Sequence, residues 1–179
     1  MAVALKEVNP SLRIVGVQAE NIASMKASLD AGKITSVSGS TIADGIAVGR
    51  PGEYTFPIVA KYIDEIVTVT EDEIAQAVLV LLESEKTVTE GSGAAGVAAL
   101  LSGKVSGIAG KSVCVILTGG NIDTTFLKNI LARGMARDGR LAKLHVIVPD
   151  RPDSLTKIAG MAAAESAHIL DVHHGRAFN

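Results

Sequence analysis

The sequence predicts an α/β protein: a parallel sheet with helices on both faces, followed by a partial ferredoxin-like β-α-β unit. Three observations predict it. Segments rich in β-branched residues alternate with segments of helical period. The strand-like segments are continuous apolar runs, as in strands buried on both faces. The texture then changes at Arg140, beyond which a strand, an amphipathic helix and a second strand follow one another.

Taken in order, "MAVALKEVNP" is helical in composition from its first residue, with nothing ahead of it to serve as an N-cap. "LRIVGVQA", Leu12 to Ala19, reads as a strand, and the next segment places Ile22, Met25 and Leu29 at helical spacing. Ile34 to Tyr54 is rich in Gly and Ser without sustained period, a long loop of the kind that tends to be functional. "FPIVAKYIDEIVTVT" is a short helix running into a strand at Glu65 to Thr70. Thr70 and Glu73 then form a capping box for a helix with Ile74, Ala77, Val78, Leu81 and Leu82 on one face. "EGSGAAGVAALLSGK" is a helix of small residues and Leu, suited to close packing against a sheet or a cofactor. "KSVCVILTGGN" reads as a fully buried strand ending in glycines, and Asp123 to Gly139 returns as a helix bearing Phe126, Ile130 and Leu131. In the tail, Leu144, Val146 and Val148 alternate as a strand, Ser154 to Glu165 is a helix, and Ile169 to His173 is a second strand.

The 179 residues allow one sizeable domain and little more. Apolar residues make up 47%, but no run approaches a bilayer's thickness, so a soluble protein with no membrane partner is expected. A net charge of -2 without a basic cluster offers no footprint for nucleic acid. The lone Cys114 cannot form an intramolecular disulfide, and no signal peptide precedes the fold, so the cytoplasm is the expected compartment. No G-x-G-x-x-G or P-loop follows any predicted strand, which weakens a nucleotide-binding reading.

Ligands of open parallel sheets bind beyond the carboxyl ends of the strands, where "TGG" stands. Thr118 would offer a hydroxyl there, and Gly119 and Gly120 would let backbone pass close to a flat ligand. On these three residues alone, a tight turn capped by Thr118 is the simpler reading.

Two further stretches change the balance: "STIADGIAV", Ser40 to Val48, and "TEGSGAAGVAAL", Thr89 to Leu100. With "GVQAEN" and "TGGN", in this order and spacing, they closely resemble the second half of the catalytic domain of threonine dehydratases, pyridoxal-phosphate enzymes of the tryptophan-synthase β-like fold (fold type II). The resemblance covers residues 1–139, and residues 140–179 resemble the first half of the ACT regulatory domain. It implies pyridoxal phosphate as cofactor, with Thr118 facing the pyridine nitrogen, Gly45 and Gly119 bringing backbone close to the ring, Asp44 in the same motif as Gly45, and Glu90 near the ring's hydroxyl side. A first-turn acid stabilising its own helix is the plain alternative for Glu90. The implied substrates are L-threonine, yielding 2-oxobutanoate and ammonia, and L-serine, yielding pyruvate.

No catalytic residue is assigned within the chain. The family's Schiff-base lysine and phosphate-binding glycines would lie upstream of Met1, and Lys6, Lys26 and Lys61 read as solvated. Metal-binding relatives carry carboxylates where this chain has Gln18, Ala23 and Ser24, so no metal is expected. Asp153 stands where ACT modules commonly have Gly, which weighs against an amino-acid effector there and reads otherwise as an N-cap. His173 and His174, on opposite faces of a strand, read as surface histidines. With both ends read as cut, the chain is expected to be a fragment without dehydratase activity, prone to associate with itself or a partner through Val146, Val148, Ile169 and Leu170. The competing reading is a non-catalytic regulatory or interaction protein that keeps the fold.

Overall fold

The computed structural model describes residues 1–175, which form two compact units, Met1–Ala142 and the stretch from Lys143 onward. The first unit contains α1 (Ala2–Val8), β1 (Val15–Ala19), α2 (Ser24–Ala31), α3 (Thr55–Tyr62), β2 (Glu65–Val69), α4 (Glu71–Ser84), α5 (Gly91–Leu101) and α6 (Thr124–Arg137). Single 3-10 turns lie at Glu20–Ile22 and Asp44–Ile46.

β1 and β2 pair in parallel, Val15 opposite Glu65 through Ala19 opposite Val69. Their β-branched residues suit a pleated surface, and Val67 and Val69 enter a core shared with Ala19, Ile74, Val78 and the alanines of α5. The fold is thus mixed α/β with parallel pairing, as the sequence predicts.

α4 organises this core. Thr70 Oγ1 accepts the Glu73 amide at 3.3 Å and Glu73 Oε2 accepts the Thr70 amide at 2.8 Å, closing the predicted capping box. Ile74, Ala77, Val78 and Leu81 are buried as predicted, whereas Leu82 stays half-buried. Ala75 and Leu79 are buried as well, because α6 covers a second side of the helix. At their closest approach a Cβ on Gly134 would lie 2.8 Å from the Ala75 carbonyl, so only glycine lets α6 sit this near. Arg133, Arg137 and Arg140 meet Asp72, Gln76 and Glu83 in register, so the two helices run parallel. Pairs this exposed contribute little individually, and the buried contacts hold the helices together.

Several expectations need correction. Residues 112–118 form no strand. A strand exists through its ladder, and among the described residues this segment pairs with neither β1 nor β2. Val113, Ile116 and Leu117 are therefore exposed, as is Cys114. On α2 the buried residues are Ser24 and Ser28 rather than Met25 and Leu29. Ser28 Oγ donates to the Ser24 carbonyl at 2.7 Å and accepts the Thr35 amide at 2.8 Å, so the helix turns a hydrogen-bonding face, not an apolar one, toward the following loop.

In the second unit, α7 (Ser154–Ala164) forms as expected, but the strands expected at Leu144 to Val148 and at Ile169 to His173 do not. Their side chains, Val146 and Ile169 among them, are exposed. Alternation selects a strand only where one face is buried, and among the described residues of this unit nothing buries it. Asp153 stands at the N-cap position without capping through its side chain; its carboxylate pairs with Lys157 at 2.6 Å instead.

Asp64, just before β2, ties α1 to the sheet. Its carboxylate accepts Lys6 Nζ at 2.9 and 2.8 Å and the Ile14 amide at 2.7 Å. The Lys6 bond first, then the Ile14 bond, holds its pKa below the usual carboxylate value. Lys6 is therefore engaged, not merely solvated. A carboxyl whose pKa is depressed on folding contributes stability above its unfolded pKa of about 3.9 and loses it as pH falls through the folded value. Urea titrations of the parent and of Asp64→Asn should differ at neutral pH and converge in acid. An equal gap at both pH values would show that no proton is linked to folding at Asp64.

Candidate functional site

α5 is built for close approach, since its first turn is Gly-Ser-Gly followed by two alanines. A Cβ on Gly93 would overlap the Thr118 carbonyl oxygen, and one on Gly91 would lie 2.6 Å from the Ile42 carbonyl. The start of the helix is thereby clasped between the 41–46 loop and the 118–122 loop. The amide of Glu90, its N-cap residue, donates to the Gly119 carbonyl at 2.8 Å and closes the second contact.

Glu90 lies at the centre. Its carboxylate makes no capping hydrogen bond to α5. A Cβ on Gly119 would overlap the Glu90 carboxyl group, and one on Gly45 would lie 3.2 Å from Glu90 Oε1 and 2.8 Å from Ser92 Oγ. Gly119 also has φ +75, a left-handed conformation that favours glycine. Three of the residues singled out from sequence, Gly45, Glu90 and Gly119, thus meet around one carboxylate.

A cleft of about 410 Å3 opens here, lined by Ile42 and Asp44 on one side, Glu90 and Gly91 beneath, and Asn121 to Asp123 with Phe126 on the other. Asp44 Oδ1 accepts the Gly45 amide at 2.8 Å, and Asp123 Oδ1 accepts the Thr125 and Phe126 amides at 2.9 and 3.0 Å, capping α6. Of the three carboxylates, Glu90 is the one set among glycines.

Thr118 is exposed and does not line the cleft; its carbonyl, not its hydroxyl, makes the close contact with α5. None of Lys6, Lys26 and Lys61 lines it either. Lys26 pairs with Asp30 at 3.2 Å, and the Lys61 ammonium lies 5.0 Å from the Tyr62 ring centroid. Gln18 Oε1 accepts the Lys26 amide at 2.9 Å and Ser24 donates to the Val48 carbonyl, so both serve the local fold. His173 pairs with Asp171 at 2.9 Å.

Sequence reasoning did not single out Ser92 or Asn121, and took Phe126 only as an apolar residue of its helix. The hydroxyls of Thr89 and Ser92, on either side of Glu90, are buried without a hydrogen-bond partner. An unmet buried hydroxyl costs roughly 1–3 kcal/mol. Neither residue lines the cleft, nor do Gly45 and Gly119, so what fits an oxygen-bearing ligand there is the Glu90 carboxylate with the Gly91 backbone beside it.

A crevice that presents the Glu90 carboxylate beside glycine backbone in an α/β fold is the kind of place where cofactor-dependent enzymes hold their ligand. The chain belongs to the pyridoxal-phosphate dependent enzyme family, whose sequence profile matches residues 1–119. It is 46% identical over 177 residues to an L-threonine ammonia-lyase of Thermotoga maritima, covering 98% of this chain and 44% of that protein. A catabolic L-threonine dehydratase of Escherichia coli is 46% identical over 132 residues, 73% of this chain and 40% of its own. Among solved structures, the processed form of threonine deaminase isoform 2 from Solanum lycopersicum superposes with a TM-score of 0.66 at 31% identity, over 74% of this chain and 39% of its own. The chain therefore spans less than half the length of the relatives it matches.

Gly93→Ala tests the clasp. Helix propensity would favour alanine by about 1 kcal/mol, but the overlap with the Thr118 carbonyl forces backbone to move, at roughly 1–3 kcal/mol. Urea denaturation should show net destabilisation, and an unchanged or raised midpoint would mean that Thr118 does not lie over Gly93.

Proposed function

We propose that this chain is the ring-binding portion of a threonine ammonia-lyase, which converts L-threonine to 2-oxobutanoate and ammonia and accepts L-serine as a second substrate. The cradle around Glu90 carries the reading. The 46% identity to the Thermotoga maritima enzyme along nearly the whole chain supports the substrate class.

Pyridoxal phosphate, when bound, supplies the electron sink that lets an amino acid lose its β-substituent. Gly45 and Gly119 would let backbone approach the ring closely, and Glu90, with the Ser92 hydroxyl beside it, would hold a proton near the ring's oxygen substituent. The family resemblance would assign the Thr118 hydroxyl, exposed and outside the cleft lining in this chain, to the pyridine nitrogen. A neutral hydroxyl leaves that nitrogen unprotonated, which favours β-elimination over reactions needing a fuller carbanion. In this reading the Schiff-base lysine and the phosphate-binding glycines come from a complementary segment, and the chain acts in the cytoplasm.

Residues 140–179 we read as the start of an ACT regulatory module that contributes to self-association, with Asp153 weighing against an amino-acid effector at its loop. The Thermotoga maritima relative aligns over 98% of the chain, whereas the Escherichia coli dehydratase aligns over 73% and the family profile ends at residue 119. That difference supports a separable module in the tail.

Two experiments test these readings. Supplied with pyridoxal phosphate and L-threonine, the 179 residues alone should yield no 2-oxobutanoate above the cofactor-only background, whereas a fusion to the complementary segment of the Thermotoga maritima relative should produce it. An inactive fusion that binds the cofactor would refute the assigned reaction. In the active fusion, Thr118→Ser should keep the reaction class, whereas cofactor-loaded Thr118→Asp should dehydrate more slowly and release more racemised or transaminated product. Unchanged rate and product ratio would remove Thr118 from the ring nitrogen.

A further inference from the structure

We infer that Glu71 is a positioning residue for the cleft: its carboxylate, from the first turn of α4, fixes the loop that carries Ile42, Asp44 and Gly45. This rests on the reading of the cleft as the cofactor site. Glu71 Oε2 accepts the Ile42 amide at 2.7 Å. The other side-chain bonds of residues 41–45 are local: Ala43 donates to Thr41 Oγ1, and Gly45 to Asp44 Oδ1. Glu71 thus supplies the one described hydrogen bond from this stretch to a distant element.

The placement has consequences on the far side of Ile42. Its carbonyl is the atom that excludes a side chain from Gly91, Ala43 is fully buried, and Gly45 abuts Glu90 and Ser92. Holding the Ile42 amide therefore sets the distance from the loop to the start of α5. A carboxylate is a stronger acceptor for a backbone amide than a neutral group. Glu71 Oε1, however, is buried without a partner. A bare carboxylate oxygen is unfavourable, so stability alone is a poor account of an acid here, whereas fixing a loop is a good one.

Glu71→Ala and Glu71→Gln in the 179-residue chain separate positioning from general stability, because the glutamine amide oxygen can still accept from Ile42. In Glu71→Ala, hydrogen exchange at the Ile42 amide should accelerate about tenfold or more. The amide resonances of Gly45, Gly91 and Ser92 should move while those of α6 stay in place, and in the fusion to the complementary segment pyridoxal phosphate affinity by absorbance titration should fall about tenfold. Glu71→Gln should recover most of each change. Unmoved resonances at Gly45 and Ser92 in the alanine variant would overturn the inference, as would a uniform loss of fold that glutamine does not rescue. If the fusion to the complementary segment binds no pyridoxal phosphate, the cofactor reading of this chain fails, and the exchange rates and resonances still decide the role of Glu71.

Discussion

The arrangement depends on one steric constraint: the first turn of α5 has no room for side chains where two loops cross it. The Thr118 carbonyl lies against Gly93 and the Ile42 carbonyl against Gly91. Because backbone meets backbone, the loops approach closely enough for the Glu90 amide to reach Gly119. The Glu90 carboxylate then fills the space that side chains on Gly45 and Gly119 would take. Enlarging any of these residues would displace a main chain, and interiors this closely packed yield by moving rather than compressing.

Behind the clasp, α4 makes the cradle rigid. Its capping box fixes where the helix begins, its buried face packs on α5, which in turn contacts both strands, and Gly134 brings α6 close on another side. The cleft draws its walls from the loop bonded to Glu71 and from the start of α6, which Asp123 caps. Side chains that would bind a ligand are thus carried on elements whose positions are set by helix termini, a more exact support than free loops provide.

How much of this the sequence discloses follows the range of each interaction. The capping box of Thr70 and Glu73 is a four-residue pattern and is legible at once. The pairing segments of β1 and β2 are legible from their β-branched runs. The segment at 112–118 has the same composition as a strand but no ladder, because a ladder depends on what lies alongside and not on the run itself. The buried serines of α2 escape a search for apolar period, since hydrogen bonds satisfy them. Glu90 and Gly45 stand out only through the resemblance, and Gly119 otherwise only as one of a glycine pair after a strand-like run, for no local rule brings a helix N-cap, a loop glycine and a distant turn together. Glu71 resembles any acid in a first turn until its contact with Ile42 is seen.

The clasp also dictates an order of assembly. Its three strips of chain are far apart in sequence, and the last of them, around Thr118 and Gly119, is made after α4 and α5. As the polypeptide leaves the ribosome, α5 emerges with a glycine-rich first turn that forms a helix poorly by itself. Until Gly119 arrives to accept the Glu90 amide, the glycines that shape the cleft weaken the nascent helix they begin. The same residues are a weakness during synthesis and a requirement once the chain has closed.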